Sequence, residues 1–170
     1  MASDIKTILQ DVPAGFLESQ LTAAALNIGV AVYVDGDGKF AAIDAAKKQR
    51  RLLLLTSEGH YDKGGCATYD DAEGIIAAGD TAQAARPQIG WVVNIWLADG
   101  ETIEVGDQLC YSTNGQFEKY TGDTQAVDEG GSATYDIIAG LNHAKLEAIE
   151  AVDNNIGGSP ARLKCVVVGG

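Results

Sequence analysis

Three dipeptides constrain this chain more than anything else in it. Asp35-Gly36, Asp99-Gly100 and Asn114-Gly115 each stand between short runs of alternating apolar residues. Asp-Gly and Asn-Gly tolerate the positive φ angles of tight hairpin turns, so each signals a pair of antiparallel strands. Gly29 to Val34, the turn Asp35-Gly36-Asp37-Gly38, and Lys39 to Ile43 make the first hairpin. Trp91, Val93, Ile95 and Leu97 line one face of a strand that turns at Asp99-Gly100 and returns through Ile103 and Val105. Leu109-Cys110-Tyr111 turns at Asn114-Gly115 and comes back through Phe117 and Tyr120, and Leu163 to Val168 is a further strand. Glycine makes up 21 of 170 residues, well above the roughly 7% average, which suits many short strands and turns. The expected class is mainly β.

Two segments read as short helices. Ala41 to Arg51 is rich in good helix formers, and Ala144 to Val152 fits either period. Residues 1–28 read as an N-terminal arm, and 29–170 as the β-rich domain. In the arm, Ile5, Ile8, Leu9 and Val12 follow helical spacing until Pro13 stops it, with Phe16 and Leu17 beyond. Such a segment either folds back on its own domain or docks on a neighbour. Gly64-Gly65-Cys66-Ala67-Thr68-Tyr69-Asp70 recurs at 130–136 with one change, and each copy precedes an Ile-Ile-Ala stretch. Two copies are too few for a solenoid but fit two equivalent loop–strand units.

Twelve basic residues against twenty-four acidic give a net charge of −12, the wrong sign for neutralising phosphates, so nucleic acid is not an expected partner. Lys47, Lys48, Arg50 and Arg51 form the one basic cluster, read as a patch that pairs with acidic surface on this molecule or another. The longest bulky apolar run, Leu52 to Leu55, falls far short of the roughly 18 residues a membrane helix needs. The first residues show neither a positive start nor a sustained apolar stretch, so no secretory signal is expected. Cys66, Cys110 and Cys165 are odd in number and far apart, which argues for reduced thiols rather than a disulfide framework.

Chemistry is sparse. His60, Asp62 and Cys66 lack a second ligand group at zinc-site spacing, and His143 has no nucleophile signature near it. Asp35-Gly36-Asp37-Gly38 starts like a calcium loop, yet Lys39 and Phe40 follow it and Ala46 stands where the bidentate glutamate belongs. The carboxylates Asp70, Asp71 and Glu73, and Asp128 with Glu129, read as solvated loop charges. No cofactor and no metal are expected. Trp91 and Trp96 fall on opposite faces of one strand: Trp91 reads as core, and Trp96 as an exposed contact anchor.

The run Ile103-Glu104-Val105-Gly106-Asp107-Gln108-Leu109 with Asn114-Gly115 resembles the G-D-x-L hairpin of tailed-phage head decoration (capsid cement) proteins. Leu146 to Asn154, a Gly-rich turn, and Pro160 to Val167 resemble that family's carboxy-terminal hairpin. The resemblance spans about residues 90–168, with a weaker echo in 29–43, while 57–88 matches nothing in it and reads as an insertion. It implies a small β-barrel or β-tulip-like domain, to which the residues themselves add one or two short helices, with no catalytic set and a strand over 144–151. It further implies a homodimer or homotrimer on the outer capsid surface, made in the bacterial host cytoplasm, with the major capsid protein as partner. The candidate contact residues are Ile5, Ile8, Leu9, Val12, Pro13, Phe16, Leu17 and Trp96. The competing readings are a tail or baseplate protein, and a small hydrolase or carbohydrate-binding module using His60 and Asp62.

Overall fold

The computed structural model of the protein describes residues 16–47, 50–56, 74–122, 124–128, 134–138, 144–154 and 161–169. Its strands are β1 (Leu17–Leu21), β2 (Leu26–Asn27), β3 (Val32–Val34), β4 (Phe40–Ala42), β5 (Leu54–Thr56), β6 (Ile75–Ile76), β7 (Thr81–Ala85) and β8 (Val92–Leu97). They continue with β9 (Thr102–Ile103), β10 (Gln108–Tyr111), β11 (Phe117–Lys119), β12 (Thr124–Asp128), β13 (Thr134–Ile138), β14 (Leu146–Ala148), β15 (Val152–Asp153) and β16 (Ala161–Val167). The protein is mainly β, as its turns require.

Five strands close into a barrel in the order β10-β11-β8-β16-β14. Closure leaves this sheet no free edge. Alternation decides what fills it. Val93, Ile95 and Leu97 from β8 and Leu163, Cys165 and Val167 from β16 point inward with Leu109, Tyr111, Phe117 and Leu146. Arg162 and Lys164, one residue out of phase, are left outside the barrel core.

A second lobe stands against the barrel. Strands β1-β7-β5 form a sheet, and bridges Ala31↔Leu54 and Thr22↔Phe40 link it to the β3–β4 hairpin. It encloses Ile28, Val30, Val32, Phe40, Leu55, Ile76 and Ala84. The four leucines divide by parity. Leu52 and Leu54 pack with the barrel core, Leu53 and Leu55 with the second core. A strand buried on both faces cannot alternate with polar residues, so the run is uninterrupted. Each leucine so buried contributes roughly 1.5–3 kcal/mol over an exposed one.

The β3–β4 and β10–β11 hairpins form where expected. The third does not. β9 pairs with β15 rather than returning along β8, because β8 already has β11 on one edge and β16 on the other. Over 41–51, helix propensity yields to tertiary contacts. Phe40 and Ile43 are fully buried and the Ile43 N–H is held by the Ala31 carbonyl at 3.0 Å, so among the described residues of this segment only a 3-10 turn, Ala45–Lys47, remains. A second 3-10 turn spans Thr113–Gly115. The 144–152 segment is not helical, since Leu146–Ala148 ladders between β10 and β16. From Phe16 onward the arm folds back, β1 onto β7 and β2 onto β6, while the expected helix over 5–12 lies outside the described residues. The first copy of the sequence echo also lies outside them. The Ile-Ile pairs that follow the copies have different partners, β6 with β2 and β13 with β12.

Candidate interaction surface

The strand ends of the second lobe build a basic groove. The registers Leu17↔Ala85 and Leu54↔Ala85, with the Val32 N–H held by the Leu53 carbonyl at 2.9 Å, set the ends of four strands side by side. With Leu53 and Val32 committed to the interior, the neighbouring Arg50, Arg51, Arg86, Glu18 and Tyr33 line a groove of about 240 Å³. Arg86 pairs with Glu18 across the β1–β7 boundary. The Arg50 guanidinium lies 5.0 Å and the Lys47 ammonium 4.8 Å from the Tyr33 ring centre. Lys47 also pairs with Asp44, so it serves its own turn. Arg51 is exposed and has no ion-pair partner among the described residues.

The groove runs on into a second depression of about 240 Å³ formed by Arg51, Leu52, Arg86, Pro87, Gln88 and Ile89. Ile89 is 73% exposed. The basic cluster at 47–51 was visible in the sequence, whereas Arg86 was not part of it. Arg86 stands alone between Lys63 and Lys119, and only the pairing of β7 with β5 carries it to Arg51.

Of the candidate contact residues, Ile5, Ile8, Leu9, Val12 and Pro13 lie outside the described residues. Phe16 packs edge-on against Trp91 at 5.6 Å between ring centres, and Leu17 is half-buried against the barrel core. Trp96, expected to be exposed, is half-buried against the second core. Its indole N–H donates to the Ile28 carbonyl at 2.8 Å, and the Arg162 guanidinium covers its ring at 4.7 Å. Arg162 itself donates to the same carbonyl at 2.6 Å. Trp96 and Arg162 therefore tie the barrel to the second lobe.

No family model matches this sequence, and no curated protein matches it. Among solved structures, the N base of the head fiber protein gp8.5 of bacteriophage phi29 is similar at 12% identity. The match covers 89% of this chain and 92% of that one, with a TM-score of 0.43.

His60, Asp62, Cys66 and His143 lie outside the described residues, and within those residues no three metal-ligating side chains gather. The Asp35 carboxylate accepts the Asp37 and Lys39 N–H groups, both at 2.9 Å, which makes its loop a hairpin turn held by its own side chain. Cys110 and Cys165 are buried. Burial, with Glu150 nearby, raises the Cys165 thiol far above the ordinary range, so it is no thiolate nucleophile. Burial likewise raises the Tyr111 hydroxyl, which donates to the Arg50 carbonyl at 3.3 Å and carries the barrel core to the groove.

Proposed function

We propose that this chain is a structural protein of the phage head. In this reading it binds the outer surface of the major capsid protein lattice as a homo-oligomer, stabilises the shell and performs no catalysis. One observation carries it: the residues that resemble decoration proteins are not scattered. Gln108 and Leu109 pair with Glu147 and Leu146, and Leu146 to Ala148 pair in turn with Cys165 to Val167, so the two stretches adjoin in the one closed barrel. A resemblance built from common turn residues gains weight when its separate pieces meet in one structural unit. The groove, an arginine-lined surface on a chain of net charge −12, suits recognition of a protein partner with carboxylates. Several modest contacts on a repeating shell would sum to strong attachment, because each tethered contact acts at high effective concentration.

The test mixes purified protein with capsids lacking it, sediments them and counts copies per shell. Saturable binding at a fixed ratio to the major capsid protein is the expected result, and absence of binding to matched capsids overturns the reading. The arm is tested by removing residues 1–15, since β1 begins at Leu17 and belongs to the sheet.

A further inference from the structure

We infer that a second copy of this chain docks the acidic side of its barrel into the arginine groove, so that copies join head to tail. This deepens the oligomer of the reading above and rests on that reading. Glu101 to Asp107 and Glu147 to Asp153 share the spacing E-x-I-E-x-x-D. The pairing of Val152 with Ile103, and the Gly106 N–H on the Ala148 carbonyl at 2.8 Å, bring the two segments together. Their apolar centre is open to solvent: Val105 is 67% exposed and Ile149 44%. Lys119 pairs with Asp107 at 2.7 Å and its charge also acts on Glu104 and Glu101, so one ammonium faces three carboxylates, and neither Glu104 nor Glu147 forms a salt bridge among the described residues.

The groove presents the complement, with exposed Ile89 beside Arg51 and Arg86. Four large apolar side chains are exposed among the described residues, and three of them stand in these two patches. An apolar centre flanked by guanidinium groups therefore matches an apolar centre flanked by carboxylates, which are the groups arginine binds in paired hydrogen bonds. A groove meeting a second groove would instead face arginine with arginine. Ile89 precedes β8 and the 101–107 segment follows it, so the strand stands between the patches within one molecule. Contact between unlike patches is heterologous, and it closes into a ring or runs on as a filament. At physiological salt charges are screened beyond about 8 Å, so the facing patches outweigh the overall repulsion of two acidic chains.

The test is sedimentation velocity over a concentration series for the full chain, Arg51→Glu and Glu104→Lys. Both positions are exposed, and unchanged thermal melts establish that the variants fold. The wild type is expected to associate, and each variant to weaken association about tenfold or more by placing like charges together. An equimolar mixture of the two variants should associate again, because the reversed groove then faces the reversed barrel. Ile89→Ser and Val105→Ser, which leave the charges intact, should weaken association without rescue on mixing. A monomeric wild type, variants that associate like wild type, or a mixture that stays apart each overturns the inference. A monomer that still saturates shells leaves the capsid reading standing, and an oligomer that ignores shells overturns that reading alone.

Discussion

Gly115 offers a measurable test of how the two lobes are joined. It sits at φ +72, with an ideal Cβ position 2.5 Å from the Ala31 carbonyl oxygen and 2.9 Å from the Val30 Cβ. Its carbonyl accepts the Ala31 N–H at 2.7 Å and its N–H donates to the Ile43 carbonyl at 2.8 Å. Gly100 is the matched control, at φ +84 with nothing within 4 Å of its Cβ position. Alanine at either position carries the left-handed backbone cost of roughly 1–2 kcal/mol. At Gly115 the methyl must also displace backbone, an overpacking cost of about 1–3 kcal/mol. The displacement stretches two hydrogen bonds worth about 1 kcal/mol each. Gly115→Ala should therefore lose about 2–3 kcal/mol more than Gly100→Ala. Urea unfolding of the two variants reads this directly. With a slope of about 2 kcal/mol/M, the midpoints should differ by at least about 1 M. Variants that agree within about 0.5 kcal/mol would refute the close approach, and with it the docking of the β10–β11 hairpin on the second lobe.

Three further outcomes follow from the same contacts. Trp96→Phe should cost about 1 kcal/mol through the lost bond to Ile28, and Arg162→Ala about 2 kcal/mol because it removes a charged donor and the cover over Trp96; thermal melts that leave both at wild-type stability would exclude the tie. Leu55→Ala, fully buried, should cost about 2–5 kcal/mol, whereas exposed Val105→Ala stays within about 0.5 kcal/mol, a contrast that denaturant titration resolves. Lys145 is buried over the Tyr111 ring, and desolvation lowers its pKa below the ordinary 10.5, so its charge penalises folding at neutral pH; the penalty fades as pH rises through the lowered folded-state pKa and is gone above 10.5. Lys145→Met should accordingly stabilise the protein at pH 7, with the gain shrinking in melts as pH approaches 10.5 and no further change above it.

Local chemistry made the hairpins readable, and long-range closure hid the rest. Asn114 sits at φ 55 and Gly115 at φ +72, the conformations their residue types favour, and the turn forms as their chemistry demands. The turn at Asp99-Gly100 has equally good chemistry, yet the chain beyond it pairs elsewhere because β8 had no free edge. A turn signal reports that the chain reverses, not that the flanking strands pair with each other. Ala41 to Arg51 failed in the same way: its helix formers are real, but burial of Phe40 and Ile43 outweighs propensities of a few tenths of a kcal/mol per residue. The run Leu52 to Leu55 was read only for its length. Its meaning, one strand between two cores, needed both lobes in view.

The candidate surface shows the same division at the level of function. Arg50 and Arg51 are neighbours in sequence and were found together, while Arg86 reaches them only through the registers Leu17↔Ala85 and Leu54↔Ala85. Trp96 was singled out correctly as a residue whose ring lies off the barrel core, but the surface it faces is the second lobe of its own chain. This matters for any partner. A contact anchor must be free to bind, and the Trp96 indole is already held by Ile28 and Arg162. Among the described residues Ile89, Val105 and Ile149 are left open, beside Arg51 and Glu104, which form no salt bridge there, and none of these stands out by residue type alone. In a chain this acidic, the candidate contact surfaces are apolar side chains exposed beside charges that form no salt bridge among the described residues. Only the folded arrangement says which charges those are.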